Sequence, residues 1–129
     1  MKLGLAIAVI LAVLIVVYRP GIFGGSSSSS ASPVEVAELV KSKKSILIDV
    51  REKDEVDSGM IPGALWLPLS GIESNSSEVN RIISTLSKDQ EILTYCRSGK
   101  RSEKVAVHLR SLGFKVRNAG GYSDLKSAF

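Results

Sequence analysis

Seven consecutive residues, Cys96-Arg97-Ser98-Gly99-Lys100-Arg101-Ser102, gather a thiol, three cations, two hydroxyls and a glycine. That mixture suits a nucleophile that must exist as an anion. Cations and backbone N–H groups lower a thiol pKa, and the same groups can hold an anionic substrate against it. Gly99 permits an unusual backbone angle inside a tight turn. Cys96 is the only cysteine in the chain, which excludes an internal disulfide and any multi-cysteine metal site. The bland alternative is a small buried cysteine that ends a strand beside a solvated, basic helix start.

The elements around this segment decide between the two. Glu91 to Tyr95 reads as a buried strand, and Arg101 to Leu112 as a helix with Val105, Leu109 and Leu112 on one face and Gly113 as its stop. A strand, a six-residue turn and a helix aim several N–H groups and the positive helix end at one point. Upstream, Ser32, Pro33 and Glu35 form a helix-start signal, followed by the apolar face Val36, Leu39, Val40. Ser45–Val50 reads as a strand and Arg51–Gly59 as a charged segment with at most one helical turn. Ile61-Pro62-Gly63 reads as a turn, Ala64–Leu67 as a short strand, Ser70–Ser77 as loop and Glu78–Leu86 as a helix. Phe114–Val116 reads as a last strand and Tyr122–Ala128 as a closing helix. Strands alternating with helices predict an α/β fold, a mostly parallel sheet flanked by helices. Cys96 then lies at the carboxyl end of a strand, where such sheets bind ligands.

At this point the sequence resembles a known family. The loop looks like the active loop of single-domain rhodanese sulfurtransferases, which commonly read C-R-[SG]-G-x-R-[SA]. Ile48-Asp49-Val50-Arg51-Glu52 resembles their D-V-R segment, Ser58–Ala64 their G-H-I-P-G-A, and Asn118-Ala119-Gly120-Gly121 their terminal glycine pair. The likeness covers residues 33–129 and is closest to periplasmic members. It departs at Met60, which replaces a usual histidine, and at a missing tryptophan near Leu125. The resemblance implies that Cys96 attacks a sulfane sulfur, as in thiosulfate, and carries it as a persulfide to a thiol or cyanide acceptor, with no cofactor and no metal. Arg97, Ser98, Gly99, Lys100 and Arg101 would bind the substrate, through N–H groups and charge. Ser98 or Ser102 would hydrogen-bond the thiolate, and Ser102, Asp49 and Arg51 would support. Asp49 and Arg51 read better as an ion pair at a strand end than as substrate contacts.

Two other function classes compete. Small phosphatases and arsenate reductases also pair cysteine with arginine, but their loops place five residues between them and this one places four. A shorter loop suits one sulfur atom better than a tetrahedral oxyanion. The second class is a membrane-tethered persulfide-carrying or redox-binding module without fast turnover. Elsewhere, His108 reads as a partly buried surface residue, Trp66 as core, and the cluster Asp54, Glu55, Asp57 as a solvated loop without the ligand spacing of a calcium site.

The N-terminus suggests where such a domain would work. Leu3–Tyr18 is an unbroken apolar run between Lys2 and Arg19, roughly 24 Å long as a helix. Residues 1–19 are therefore expected to be a signal anchor or a signal peptide, and residues 20–32 a Gly/Ser-rich linker. Residues 33–129 would be the domain. Arg19-Pro20 is a poor cleavage context, which favours the anchor. Charge flanking weakly places the domain on the periplasmic or extracytoplasmic side, with secretion after cleavage as the alternative. The formal charge is +4; without Lys2 and Arg19 the rest holds 15 basic and 13 acidic residues. That mild balance, with few aromatics, argues against nucleic acid as a partner. The expected partners are a small sulfur anion, a thiol that could belong to a protein, and the membrane through residues 3–18.

Overall fold

The computed structural model describes residues 30–129. The expected membrane segment at 3–18 and the linker through Ser29 lie outside the described residues. Among the described residues no helix is long and apolar enough to cross a membrane.

Four short segments form one parallel sheet: β1 (Ser45–Asp49), β2 (Leu65–Trp66), β3 (Glu91–Cys96) and β4 (Val116–Gly121), in the order β2-β1-β3-β4, and Ile and Leu dominate the interior of β1 and β3. Helices α1 (Pro33–Lys41), α2 (Lys53–Asp57), α3 (Leu69–Glu73), α4 (Ser77–Thr85), α5 (Lys100–Ser111) and α6 (Tyr122–Lys126) connect and cover it. The expected α/β arrangement with a helix-flanked parallel sheet is therefore present. The Ser32 hydroxyl caps α1 by accepting the Glu35 N–H at 3.3 Å, with Pro33 in the first turn.

Strand alternation divides the core and aims the site. Ile48, Ile92 and Cys96 pack on one face with Leu67, Leu69, Val105 and Leu109, while Leu47, Leu93 and Tyr95 pack on the other with Val36 and Leu125. Ala31, just ahead of α1, is buried in this second half. Val105 and Leu109 are fully buried and fasten α5 to β3. Each contributes about 1.5–3 kcal/mol relative to an exposed side chain. Chain order reverses direction in the sheet between β1 and β3, since β2 lies on the far side of β1. The crevice outside the carboxyl ends of β1 and β3 is the switch point where open α/β sheets hold ligands.

Three sequence readings need correction. Residues 69–73, expected to be largely loop, form α3. Pro68 precedes it with φ −66°, and buried Leu69 and partly buried Ile72 anchor it, so packing overrides the weak helix propensity of Ser70 and Gly71. The last strand was expected at Phe114–Val116 but runs from Val116 through the glycine pair to Gly121. Its register with β3 shifts between Thr94 and Tyr95, so that Asn118 pairs with Thr94 and Gly120 with Tyr95. Trp66 is not a core residue: it is half-buried, and its indole N–H donates to the Arg51 carbonyl at 2.8 Å.

Candidate active site

Alternation along β3 places Cys96 on the α5 face, one residue after Tyr95 has turned to the opposite face. The chain then folds back into α5 through Gly99, whose φ of +92° is the left-handed geometry expected of a glycine. This turn brings the Gly99 N–H to the Cys96 sulfur at 3.0 Å, and the Ser102 hydroxyl lies 3.5 Å from the same atom. Cys96 itself has no exposed surface. Burial pushes its thiol up, but the Ser102 hydroxyl and the N–H groups of Ser102, Ser98 and Gly99 outweigh burial and hold the pKa below the usual thiol value. Of the loop N–H groups, that of Gly99 makes the hydrogen bond to the sulfur, and of the two serines it is the Ser102 hydroxyl that reaches it.

β4 holds the loop from behind. The Asn118 side chain donates to the Gly99 carbonyl at 2.8 Å and accepts the Gly120 N–H at 3.0 Å and the Ser102 hydroxyl at 2.7 Å. The Thr94 hydroxyl, also on the α5 face, donates to the Ser102 carbonyl at 3.1 Å. Asn118 appeared in the sequence only as part of a glycine-rich landmark; nothing in its spacing marked it as the residue that fixes Gly99.

The cations separate into two kinds. Arg97 and Lys100 are exposed and have no ion-pair partner among the described residues. Arg101 is engaged: its two terminal nitrogens donate to the two Glu55 oxygens, each at 2.6 Å. Arg101 holds the Glu55 pKa down to about 2 against the opposing effect of burial, and Glu55 in turn raises that of Arg101. Glu55 is therefore not part of a solvated acidic cluster. Its neighbours Asp54 and Asp57 are exposed as expected. No sequence spacing could reveal a pair 46 residues apart.

Asp49 and Arg51 form the expected ion pair on the opposite face. Arg51 Nη2 donates to Asp49 Oδ2 at 2.7 Å and to the Gly59 carbonyl at 2.6 Å, and both side chains are almost wholly buried. The Tyr95 hydroxyl donates to Asp49 at 2.6 Å and accepts the Ile61 N–H at 3.1 Å. The Arg51 guanidinium lies 4.1 Å from the Tyr122 ring centre. This network ties the segment after β1 to β3 and α6. Beside it, Arg51, Glu55, Ser58, Arg97, Tyr122 and Ser123 line a cavity of about 340 Å³, which shares Arg97 with the Cys96 loop. His108 is half-buried, as its position beside the apolar face of α5 implied.

Comparison with known proteins bears on the family and the fold. A family model described as "Rhodanese-like domain" matches residues 32–128. A putative sulfurtransferase of Bacillus subtilis is 43% identical over 75 residues, covering 58% of this chain and 66% of that protein. A putative sulfur carrier protein of the same organism is 32% identical, and the match spans 71% of this chain and 50% of that protein. A human thiosulfate:glutathione sulfurtransferase is 32% identical over 108 residues, 77% of this chain and 94% of its own length. Among solved structures, a human single-domain sulfurtransferase superposes with a TM-score of 0.65 at 31% identity, covering 78% of this chain and 96% of that one.

Proposed function

Because this chain belongs to the rhodanese-like domain family, we propose that it is a thiosulfate-type sulfurtransferase working through a persulfide on Cys96. The observation that carries the proposal is the sulfur's setting. Cys96 meets the Gly99 N–H and the Ser102 hydroxyl in a turn that ends at a helix start, which favours the thiolate. In the proposed reaction the thiolate attacks the outer sulfur of thiosulfate. A Cys96–sulfur bond forms, the bond to the sulfonate sulfur breaks, and sulfite leaves with the electron pair. The charge shifts from Cys96 to the terminal sulfur of the persulfide, where the loop N–H groups remain close. A thiol or cyanide then takes that sulfur and returns the thiolate. Exposed Arg97 and Lys100 supply the long-range attraction for the incoming anion.

Incubation with thiosulfate followed by intact mass measurement tests this. Uptake of one sulfur atom on Cys96, its removal by cyanide as thiocyanate, and loss of both in Cys96→Ser are the expected results. Thiocyanate formation undiminished in that variant would refute the mechanism. Loading without turnover would favour a sulfur carrier instead, a reading supported by the relative of that name.

The same proposal extends to location. The apolar run at 3–18 and the Gly/Ser stretch support a domain tethered on the extracytoplasmic side of a membrane. Mass measurement of the protein extracted from membranes should show the N-terminus retained; loss of roughly the first 25 residues would indicate signal-peptide cleavage instead.

A further inference from the structure

The sequence assigned Arg101 to the substrate anion, yet the folded chain gives it to Glu55. The pair is bidentate, at 2.6 Å on both arms, and only 30% and 24% of the two side chains is exposed. Two parallel bonds fix orientation as well as distance. Glu55 is also held from its own side, because its Oε2 accepts the Glu52 N–H at 3.0 Å in the first turn of α2. The Arg101 guanidinium holds the Glu55 carboxyl well below the usual carboxylate range, so the pair is charged near neutral pH. Arg101 lies in the first turn of α5, the helix that opens directly after the Cys96 turn. The cation nearest in sequence to a conventional oxyanion-binding role therefore arrives at the site already neutralised.

We propose that Glu55 determines donor specificity: by neutralising Arg101 it keeps the Cys96 site weakly cationic, so that dianions bind loosely and sulfite leaves after sulfur transfer. The inference rests on the sulfur-transfer reading for its physiological meaning, though not for its electrostatics. A site that used Arg101 at full charge would bind sulfite, the dianionic product, as well as it binds thiosulfate. An attraction felt equally by bound thiosulfate and by the transition state lowers KM without raising kcat. Arg97 and Lys100 remain free to attract anions from solution without clamping them.

Glu55→Gln in the full-length chain tests this, because glutamine is nearly isosteric and still accepts from Arg101. Iodoacetamide and iodoacetate alkylate the same sulfur and differ by one negative charge. The ratio of iodoacetate to iodoacetamide rates at Cys96 should rise about threefold or more in Glu55→Gln. Alongside, the KM for thiosulfate should fall and inhibition by sulfite should tighten, with no gain in kcat. Glu103→Gln, which frees Arg110 instead (3.0 Å in the native pair), should leave the ratio unchanged. Glu55→Asp keeps the charge and should return the ratio toward the native value. An unchanged ratio in Glu55→Gln, a parallel change with both reagents, or the same rise in the Asp and Gln variants would each overturn the proposal. Failure of either reagent to reach Cys96 would overturn it as well. If the ratio rises but the native protein takes up no sulfur from thiosulfate, the sulfur-transfer reading fails and the charge role of Glu55 stands. If sulfur loads and the ratio is flat, the opposite holds.

Discussion

The Ser102 hydroxyl has one proton and three acceptors in range: Asn118 Oδ1 at 2.7 Å, the Gly99 carbonyl at 3.0 Å and the Cys96 sulfur at 3.5 Å. With a neutral thiol the nearer oxygens hold that proton. Once Cys96 ionises, its sulfur becomes a charged acceptor, and hydrogen bonds to charged groups are the stronger ones. Ser102 thus lowers the cost of forming the thiolate in a site where burial raises it. In Ser102→Ala the pH midpoint for alkylation of Cys96 should move upward by about half to one unit. A stationary or lower midpoint would remove Ser102 from the account. Cys96 and Ser102 were legible as chemistry because they lie in one seven-residue segment. Glu55 and Asn118 were not, because they meet that segment only through the pairing of strands that the sequence does not place side by side.

The turn between β3 and α5 depends on β4 at two neighbouring glycines of opposite character. A Cβ on Gly121 would stand 2.7 Å from the Arg97 carbonyl oxygen, a backbone atom that cannot step aside without moving the loop. A Cβ on Gly120 would meet nothing within 4 Å, but that residue sits at φ +90°. Gly121→Ala should therefore displace the loop and reduce sulfur loading by about two orders of magnitude, the effect of roughly 1 Å of misplacement at a reacting centre. Gly120→Ala should cost about 1–2 kcal/mol in backbone conformation with loading largely kept. Equal loss of loading in both variants would show that conformation, not contact, governs the turn. Hydrophobic pattern located β1, β3, α4 and α5, whereas β4 was missed beyond Val116 because Asn118-Ala119-Gly120-Gly121 has no strand propensity of its own. Hydrogen bonding to β3 makes it a strand. In α3 the burial of Leu69 settled a segment whose composition reads as loop.

Across the whole molecule, the sheet separates chemistry from bracing. Cys96 faces α5, and the preceding residue, Tyr95, faces the buried Asp49–Arg51 pair, which in turn holds the Gly59 carbonyl. Burial and Asp49 raise the Tyr95 pKa, so it remains a protonated donor. Tyr95→Phe removes that donor and leaves the Ile61 N–H without its 3.1 Å acceptor. The variant should lose about 1–3 kcal/mol of unfolding free energy in urea. Stability equal to the native protein would show that water replaces the hydroxyl without loss.

The absence of exposed surface on Cys96 also has a consequence for timing. Collision with a bulky disulfide or a folded protein's flat surface does not bring reacting atoms together. Under the proposed function, exchange requires a donor or acceptor slender enough to reach the buried sulfur. On that reading, how long a sulfur atom stays on Cys96 is set by the shape of whatever comes to collect it, more than by how much of it is present.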